Sequence, residues 1–522
     1  MSSKFEAALK STLNDQIAIT ENGAVGFKTS GKALCDINFA VSSLRGAEES
    51  KILKMWQEAY AEDPVVAIKW LFMLRDIRGN GMGERRTFRV ILKELAAMHS
   101  DIVEKLVPII ADYGRYDDLW ELSETPVWNA VIDLVAKQLA DDMKAKDAGK
   151  PITLLAKWLP SCNTSSAKTK ELAVKIRRAL GMDEKTYRKT LSSLRSYGNV
   201  LEVKLSAKEW GDVNYDAVPS QANLKYKNAF LKNDEARRRE WLGKLEKGEA
   251  KINASTSFPC DIVYRYGRGG GIDQTLEAMW KALPNYVSDL KTGSTIVVAD
   301  GSGSMTTPVG GGNMSALAVA NSLAIYFAER LPGEFKDKYI TFSMNPQYVD
   351  MSKAKSLAEK LRIAYQHSEV ANTNIKAVFE LLLATAKRNN LKQEDIPANV
   401  LVVSDMEFDG CTSFSGDNNG YGWYNTSRFE DSAKKSSLFE GIKKEWANAG
   451  YVLPKLIFWN VNSRTNTVPL QQNEMGIALV SGFSPAISKM AFSMKLDPYE
   501  AILEALNCDR YNRIAKLVTG LV

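Results

Sequence analysis

Histidine is nearly missing from this 522-residue chain, which contains only His99 and His367. A histidine-based hydrolase or a His-rich metal centre is therefore not expected. Cysteine is sparse as well: Cys35, Cys162, Cys260, Cys411 and Cys508 are scattered, with no C-x-x-C pair. That pattern argues against zinc and for a reducing compartment. The chain has no apolar run of about 18 residues, the length a membrane helix needs, and Met1–Lys10 lacks an apolar signal core. Neither membrane insertion nor secretion is expected, and a cytoplasmic location is. Gly301-Ser302-Gly303 is not followed by Lys-Ser/Thr, so it is no Walker A loop. Ser302 has no histidine or lysine base near it in sequence, so no enzymatic activity is expected.

The length calls for two to four domains. Residues 1–42 read as an N-terminal arm or small hairpin, with turns at Thr20–Gly23 and Ser30–Gly31. From 43 to 258 apolar residues recur at three- and four-residue spacing without strand-like alternation, which predicts an all-α module of successive helix pairs, a solenoid or curved bundle. The Gly- and Tyr-rich stretch within Pro259–Asp273 reads as a linker, and 259–291 as linker and connecting helix. From 292 to 522 short β-branched runs alternate with helices of about 10–15 residues, the rhythm of a doubly wound, mostly parallel α/β sheet.

Within that second half, Thr295-Ile296-Val297-Val298-Ala299-Asp300 ends an apolar strand on an aspartate, and Ser302 and Ser304 follow. Thr373 precedes another helix, and Val402-Val403-Ser404-Asp405 ends a second apolar strand on an aspartate. Open α/β sheets place ligands at the carboxyl ends of their strands. Carboxylate and hydroxyl oxygens without His or Cys suit a hard cation such as Mg²⁺; the bland alternative is a Gly/Ser-rich turn. The order D-x-S-x-S, then T, then D resembles the metal-ion-dependent adhesion site of von Willebrand factor A (vWA) domains. The resemblance implies Ser302 and Ser304 as direct ligands, Thr373 as a direct or water-mediated one, and Asp300 and Asp405 as acidic anchors. It also implies that an acidic oxygen of a partner protein completes the octahedron. The family often has Gly-Gly-Thr-Asp where this chain has Ala371-Asn372-Thr373-Asn374, one acid fewer.

In the helical half, Leu74–Arg86 joins two helices through a glycine-rich loop carrying Arg78, Arg85 and Arg86. It reads either as a phosphate cradle or as a tight turn whose arginines pair with Asp76 and Glu84. Tyr113–Trp120 reads as an aromatic corner capped by Asp117. Residues 151–250 hold 20 Lys/Arg against 12 Asp/Glu, a net of +8, so the remaining chain carries 6 − 8 = −2. The densest part contains Lys168, Lys170, Lys175, Arg177, Arg178, Lys185, Arg188, Lys189 and Arg195, with Tyr187 and Tyr197 for base stacking. A solvated helix face is the alternative, and it fits Arg237-Arg238-Arg239 better, since acids surround that run.

These strings, with Lys157–Ser161 and Tyr187–Leu191, resemble in order the TROVE module of Ro-type ribonucleoproteins, in the TROVE-plus-vWA form common in bacteriophage genomes. The resemblance implies a ring of HEAT-like helices that binds single-stranded RNA ends and structured non-coding or misfolded RNA, without catalysis. The competing expectation is a protein-interaction scaffold or phage structural component that captures an acidic partner residue through Mg²⁺.

Overall fold

The turn-rich start of the chain folds as a hairpin of β1 (Ile17–Ile19) and β2 (Val25–Phe27), antiparallel with Ala18 opposite Gly26. The structure, a computed structural model, describes residues 17–267, 271–342, 345–369, 373–408, 438–469, 477–495 and 497–522. Met1–Lys10, Arg268–Gly270, Ala371, Asn372 and Cys411 lie outside them. Two compact units form: Met1–Glu62, Phe258–Asp273 and Asn285–Ala505 make one, and Asp63–Ser257, Gln274–Pro284 and Leu506–Val522 the other. Both draw on stretches far apart in the chain, which composition read along the sequence does not register.

The first unit is built on a six-stranded sheet of β3 (Thr295–Asp300), β4 (Lys338–Phe342), β5 (Gln347–Asp350), β6 (Asn399–Ser404), β7 (Lys455–Asn460) and β8 (Ile477–Ser481). Their order is β5-β4-β3-β6-β7-β8, parallel except at the β4–β5 edge. Strands covered on both faces are apolar throughout rather than alternating. Accordingly β3 and β8 are buried along their whole length. Ile296, Val298, Val400, Val402 and Phe458 share one core with the helix Ile375–Arg388 and with Phe439 and Trp446. The helix Ala316–Arg330, buried from Ala316 to Ala328, packs on β3.

The sequence predicts a helix from Ser352, but the chain first forms β5, and the helix runs Leu357–Gln366. Pro259–Tyr266, read as linker, is a helix with Cys260, Ile262 and Val263 buried, packed on Ala316–Arg330. Ala33–Leu44, read as irregular arm, is a helix with nine buried residues that contacts β8.

The second unit is all-α among its described residues. Asp63 caps the helix Pro64–Arg75 by accepting from the Val66 amide at 3.0 Å, and Pro64 occupies its first turn. Apolar spacing predicts one helix over Gln221–Lys247, but the chain forms two, Ser220–Asn233 and Glu235–Glu246, because Asp234 leaves helical geometry and accepts from Tyr215 Oη at 2.7 Å. Among the described residues no helix is long and apolar enough to cross a membrane. The fold class is therefore the expected one, an all-α unit and an α/β unit with a mostly parallel sheet.

Candidate cation site and candidate nucleic-acid interface

In the α/β unit, the chain leaves β3 toward β4 on one side and later adds β6 on the other. The crevice between the carboxyl ends of β3 and β6 is therefore the topological switch point of the sheet. The parallel register sets Ala299 against Val403, so Asp300 and the Ser404–Asp405 pair emerge there together. Both aspartates are fully buried. Asp300 Oδ1 accepts from the Ser302 amide at 2.9 Å, and Oδ2 accepts from Ser404 Oγ at 2.5 Å. The Ser302 and Ser304 hydroxyls lie 3.0 Å apart, and Ser304 is near enough to Asp405 to favour its charged form. Asp405 Oδ1 accepts from the Glu407 amide at 3.2 Å, whereas Oδ2 is buried without a hydrogen-bond partner. After Asp405 the backbone turns through Met406 in a left-handed conformation, φ 63°, uncommon for a residue with a side chain.

Burial and the charge of Asp300 push the Asp405 carboxyl up to about 7, against the opposing pull of Ser304, the Glu407 amide and Arg464. Two carboxylates this close and this buried call for a shared proton or a cation. Among the described residues no three His, Cys, Asp or Glu side chains converge. A cation here would be held by two carboxylates and by hydroxyls, a donor set that suits a hard, water-retaining ion.

Thr373, also buried, joins the group through Asn22, whose Nδ2 donates to Thr373 Oγ1 at 3.2 Å and to the Glu407 carbonyl at 2.6 Å. Asn374 caps the helix Ile375–Arg388 by accepting from the Ala377 amide at 3.2 Å. The structure thus brings Asp300, Ser302 and Ser304 into direct contact, sets Asp405 next to them at the same crevice, and links Thr373 to the group through Asn22.

Sequence reasoning missed the second ring around these residues. Glu407, fully buried, accepts from the Arg464 and Thr465 amides on Oε1 at 2.8 and 2.9 Å and from the Glu21 amide on Oε2 at 2.8 Å. It ties the β1–β2 turn and the loop after β7 to the end of β6. Arg464 in turn pairs with Glu21 at 2.5 Å and stands 3.6 Å from Asp405 Oδ2. A carboxylate two residues beyond Asp405 was the available signal; the contact of Glu21 with Arg464, more than 400 positions apart in sequence, left none.

In the helical unit the glycine-rich loop does not form the phosphate cradle. Its amides are turned inward: Arg78 and Gly79 donate to Asp76 Oδ1 at 3.0 and 2.8 Å, Met82 to the Met73 carbonyl and Glu84 to the Leu74 carbonyl. A Cβ on Gly81 would stand 2.4 Å from the Met73 carbonyl, so the close turn needs glycine there. Asp76 pairs with Arg510, not with the loop arginines. The aromatic corner is capped by Asp118 rather than Asp117: Asp118 accepts from the Arg115 amide and forms buried ion pairs with Arg75 and Arg89.

Of the basic residues, Arg78, Arg85, Arg86, Lys168, Lys170, Arg178, Lys185, Arg188 and Lys189 are exposed. Arg177 is half-buried and donates to the Met182 carbonyl at 3.3 Å. Arg195 is spent on structure, donating to the Ala156 and Leu159 carbonyls and to Ser161. Tyr187 is unavailable for stacking, being fully buried with its hydroxyl on the Pro160 carbonyl. Arg238, read as part of a solvated face, is also fully buried, 4.3 Å from the Trp241 ring and 4.9 Å from that of Tyr215.

Two clefts adjoin this basic region. One of about 700 Å³ is lined by Lys185, Arg188, Lys189 and Arg195. The other, about 1100 Å³, is lined by Arg78, Arg115, Lys157, Trp158, Lys225 and Tyr226. The Trp158 ring has the Arg115 guanidinium at 4.9 Å and the Lys157 ammonium at 5.8 Å. Arg85, Arg86, Lys168, Lys170, Arg177 and Arg178 lie outside both clefts.

Comparison with known proteins divides the chain between residues 292 and 294, a division along the sequence that differs from the two compact units. Residues 20–108 and 123–292 match a family described as a domain of unknown function (DUF2828), and residues 294–507 match another so described (DUF7788). A relative in Acanthamoeba polyphaga mimivirus, "Uncharacterized protein L728", is 29% identical over 528 residues, covering 94% of this chain and 87% of its own. The crystal structure of the Ro (RSR) protein of Deinococcus radiodurans aligns over 90% of this chain and 93% of its own, with 13% identity and a TM-score of 0.40. A likeness that distant adds nothing to what the strand order and helices already establish.

Proposed function

We propose that this is a non-catalytic RNA-binding protein whose helical unit engages single-stranded or structured RNA and whose α/β unit holds a divalent cation, Mg²⁺ by preference. The observation that carries the RNA reading is the larger cleft. There Trp158 and Tyr226 line the cleft together with Arg78, Arg115, Lys157 and Lys225. Stacking faces interleaved with cations take up unpaired bases together with their phosphates. The exposed Arg188 and Lys189 in the neighbouring cleft extend the positive surface.

The cation reading is supported by the buried pair Asp300 and Asp405, with one carboxylate oxygen unpartnered, the hydroxyls of Ser302 and Ser304 at the same crevice, and Thr373 tied to it through Asn22. A binding role suits the serines better than a catalytic one. Ser302 Oγ faces Ser304 Oγ, and His367 turns its Nδ1 to the Ile363 carbonyl of its own helix at 2.8 Å.

Filter binding of a single-stranded RNA at two salt concentrations tests this function. Affinity should be measurable at low salt and fall steeply with added salt, and reversing Arg188 and Lys189 to Glu should weaken it. No affinity at low salt, or no effect of the reversal, would sink the RNA reading. The competing reading, a scaffold that captures an acidic partner through the cation, predicts a pull-down that is lost with EDTA or Asp300→Ala and is indifferent to RNase. The presence of Glu21 beside the site weighs against that reading.

A further inference from the structure

We infer that the cation site carries its own acidic occupant: Glu21, at the tip of the β1–β2 hairpin, is the carboxylate that completes cation binding at Asp300 and Asp405, and Arg464 is the positive charge that stands in its place when no cation is bound. This rests on the cation reading above and names the ligand of the same site.

The hairpin is fixed over the crevice by main-chain contacts on both sides. Thr20 Oγ1 and the Ala24 amide donate to the Phe408 carbonyl at 2.5 and 3.4 Å, and Phe27 and Val468 exchange amide–carbonyl bonds at 2.9 and 2.8 Å. A Cβ on Gly26 would lie 2.8 Å from the Val468 carbonyl, so the two backbones approach where only glycine fits. Within the turn, Glu407 grips the Glu21 amide and Asn22 reaches Thr373. The Glu21 carboxylate is thereby delivered to the mouth of the site, half exposed, on the same guanidinium that faces Asp405.

The charge pattern explains the arrangement. Asp300 and Asp405 are buried in the crevice, and the Glu21 carboxylate is linked to them through Arg464, which pairs with Glu21 and stands 3.6 Å from Asp405. Arg464 stands beyond hydrogen-bond reach of Asp405 Oδ2, which is left buried and unpartnered. A divalent ion would satisfy that oxygen and outcompete one guanidinium for the carboxylates. Glu21, already held by its backbone, needs only a side-chain rotation to exchange Arg464 for the ion. The site then locks the amino-terminal hairpin to the sheet instead of recruiting an outside acid.

Mn²⁺ titration of the full chain, followed by electron paramagnetic resonance of the free ion, tests this with a double-mutant cycle. Glu21→Gln should weaken Mn²⁺ binding about tenfold, because affinity for hard cations follows the ligand charge count. Arg464→Gln should strengthen it, and the Glu21→Gln loss should persist in the Arg464→Gln background. Acetate should restore binding to Glu21→Ala and leave the wild type unchanged. Equal affinity of wild type and Glu21→Gln, or disappearance of the Glu21 effect once Arg464 is removed, would overturn the inference while leaving the cation site intact. Absence of Mn²⁺ binding to the folded wild type would overturn both.

Discussion

Ser404 Oγ donates to Asp300 Oδ2 at 2.5 Å, so the last residue of β6 holds the last residue of β3. The same serine oxygen accepts from the Met406 amide at 2.9 Å. One hydroxyl thus sets the spacing of both strand tips and the turn that aims Asp405. Ser404→Ala should leave a buried carboxylate short of a donor, costing about 1–3 kcal/mol. Urea unfolding should show a lower midpoint with an unchanged slope, and Mn²⁺ affinity should fall with it.

The raised Asp405 carboxyl makes the metal-free protein sensitive to pH. A group whose folded pKa lies above its unfolded value stabilises fully below the unfolded pKa, and that contribution is lost as pH rises through the folded one. For Asp405 the window runs from the ordinary 3.8 to about 7. Thermal unfolding in EDTA should therefore show stability declining across that range, with Asp405→Asn flattening the decline. In saturating Mg²⁺ the decline should be reduced, because the ion binds the deprotonated pair.

The ion pairs of Asp118 with Arg75 and Arg89 lie in the helical unit, with Arg75 and Asp118 both buried. Removing one partner strands a buried charge, at a cost of about 3–5 kcal/mol. Asp118→Ala should lower stability by that order in denaturant unfolding, and Asp118→Asn, which keeps the acceptor shape, by less.

Within the RNA reading, charge and stacking separate experimentally. Arg188→Glu with Lys189→Glu should reduce both affinity and the slope of log affinity against log salt, since phosphate contacts release counterions. Trp158→Ala should cost about 1–3 kcal/mol of binding at either salt concentration and leave the slope unchanged, as expected for a lost stacking face. Trp158 is half-buried and its carbonyl serves Trp120, so circular dichroism should accompany the titration.

Much of the α/β unit was legible because local pattern and tertiary environment agree there. Strands covered on both faces are continuous apolar runs; β3 ends on Asp300 and Asp405 directly follows β6, both costly to bury without a purpose. Asp300 and Asp405 were visible for that reason, and Ser302 and Ser304 through the D-x-S-x-S motif. The short edge strand β5 was not, since Gln347–Asp350 has little apolar content and owes its form to pairing with β4. Arginines were the least legible residues. Arg188 is exposed, Arg195 holds a loop and Arg238 sits fully buried among aromatic rings, although all three read as surface cations. Their fates depend on carbonyls and ring faces brought in from elsewhere in the chain, which spacing does not encode. Glu407 and Arg464 escaped notice for the same reason.

Cross-linking the full-length protein to a 4-thiouridine-labelled single-stranded RNA, followed by mass spectrometry of the linked peptides, addresses RNA binding most directly. Cross-links should concentrate on the peptides carrying Trp158 and Tyr226 and on the Lys185–Lys189 stretch, and should diminish in the Arg188→Glu, Lys189→Glu variant. Cross-links confined to the α/β unit, or none above a control protein of equal charge, would contradict it.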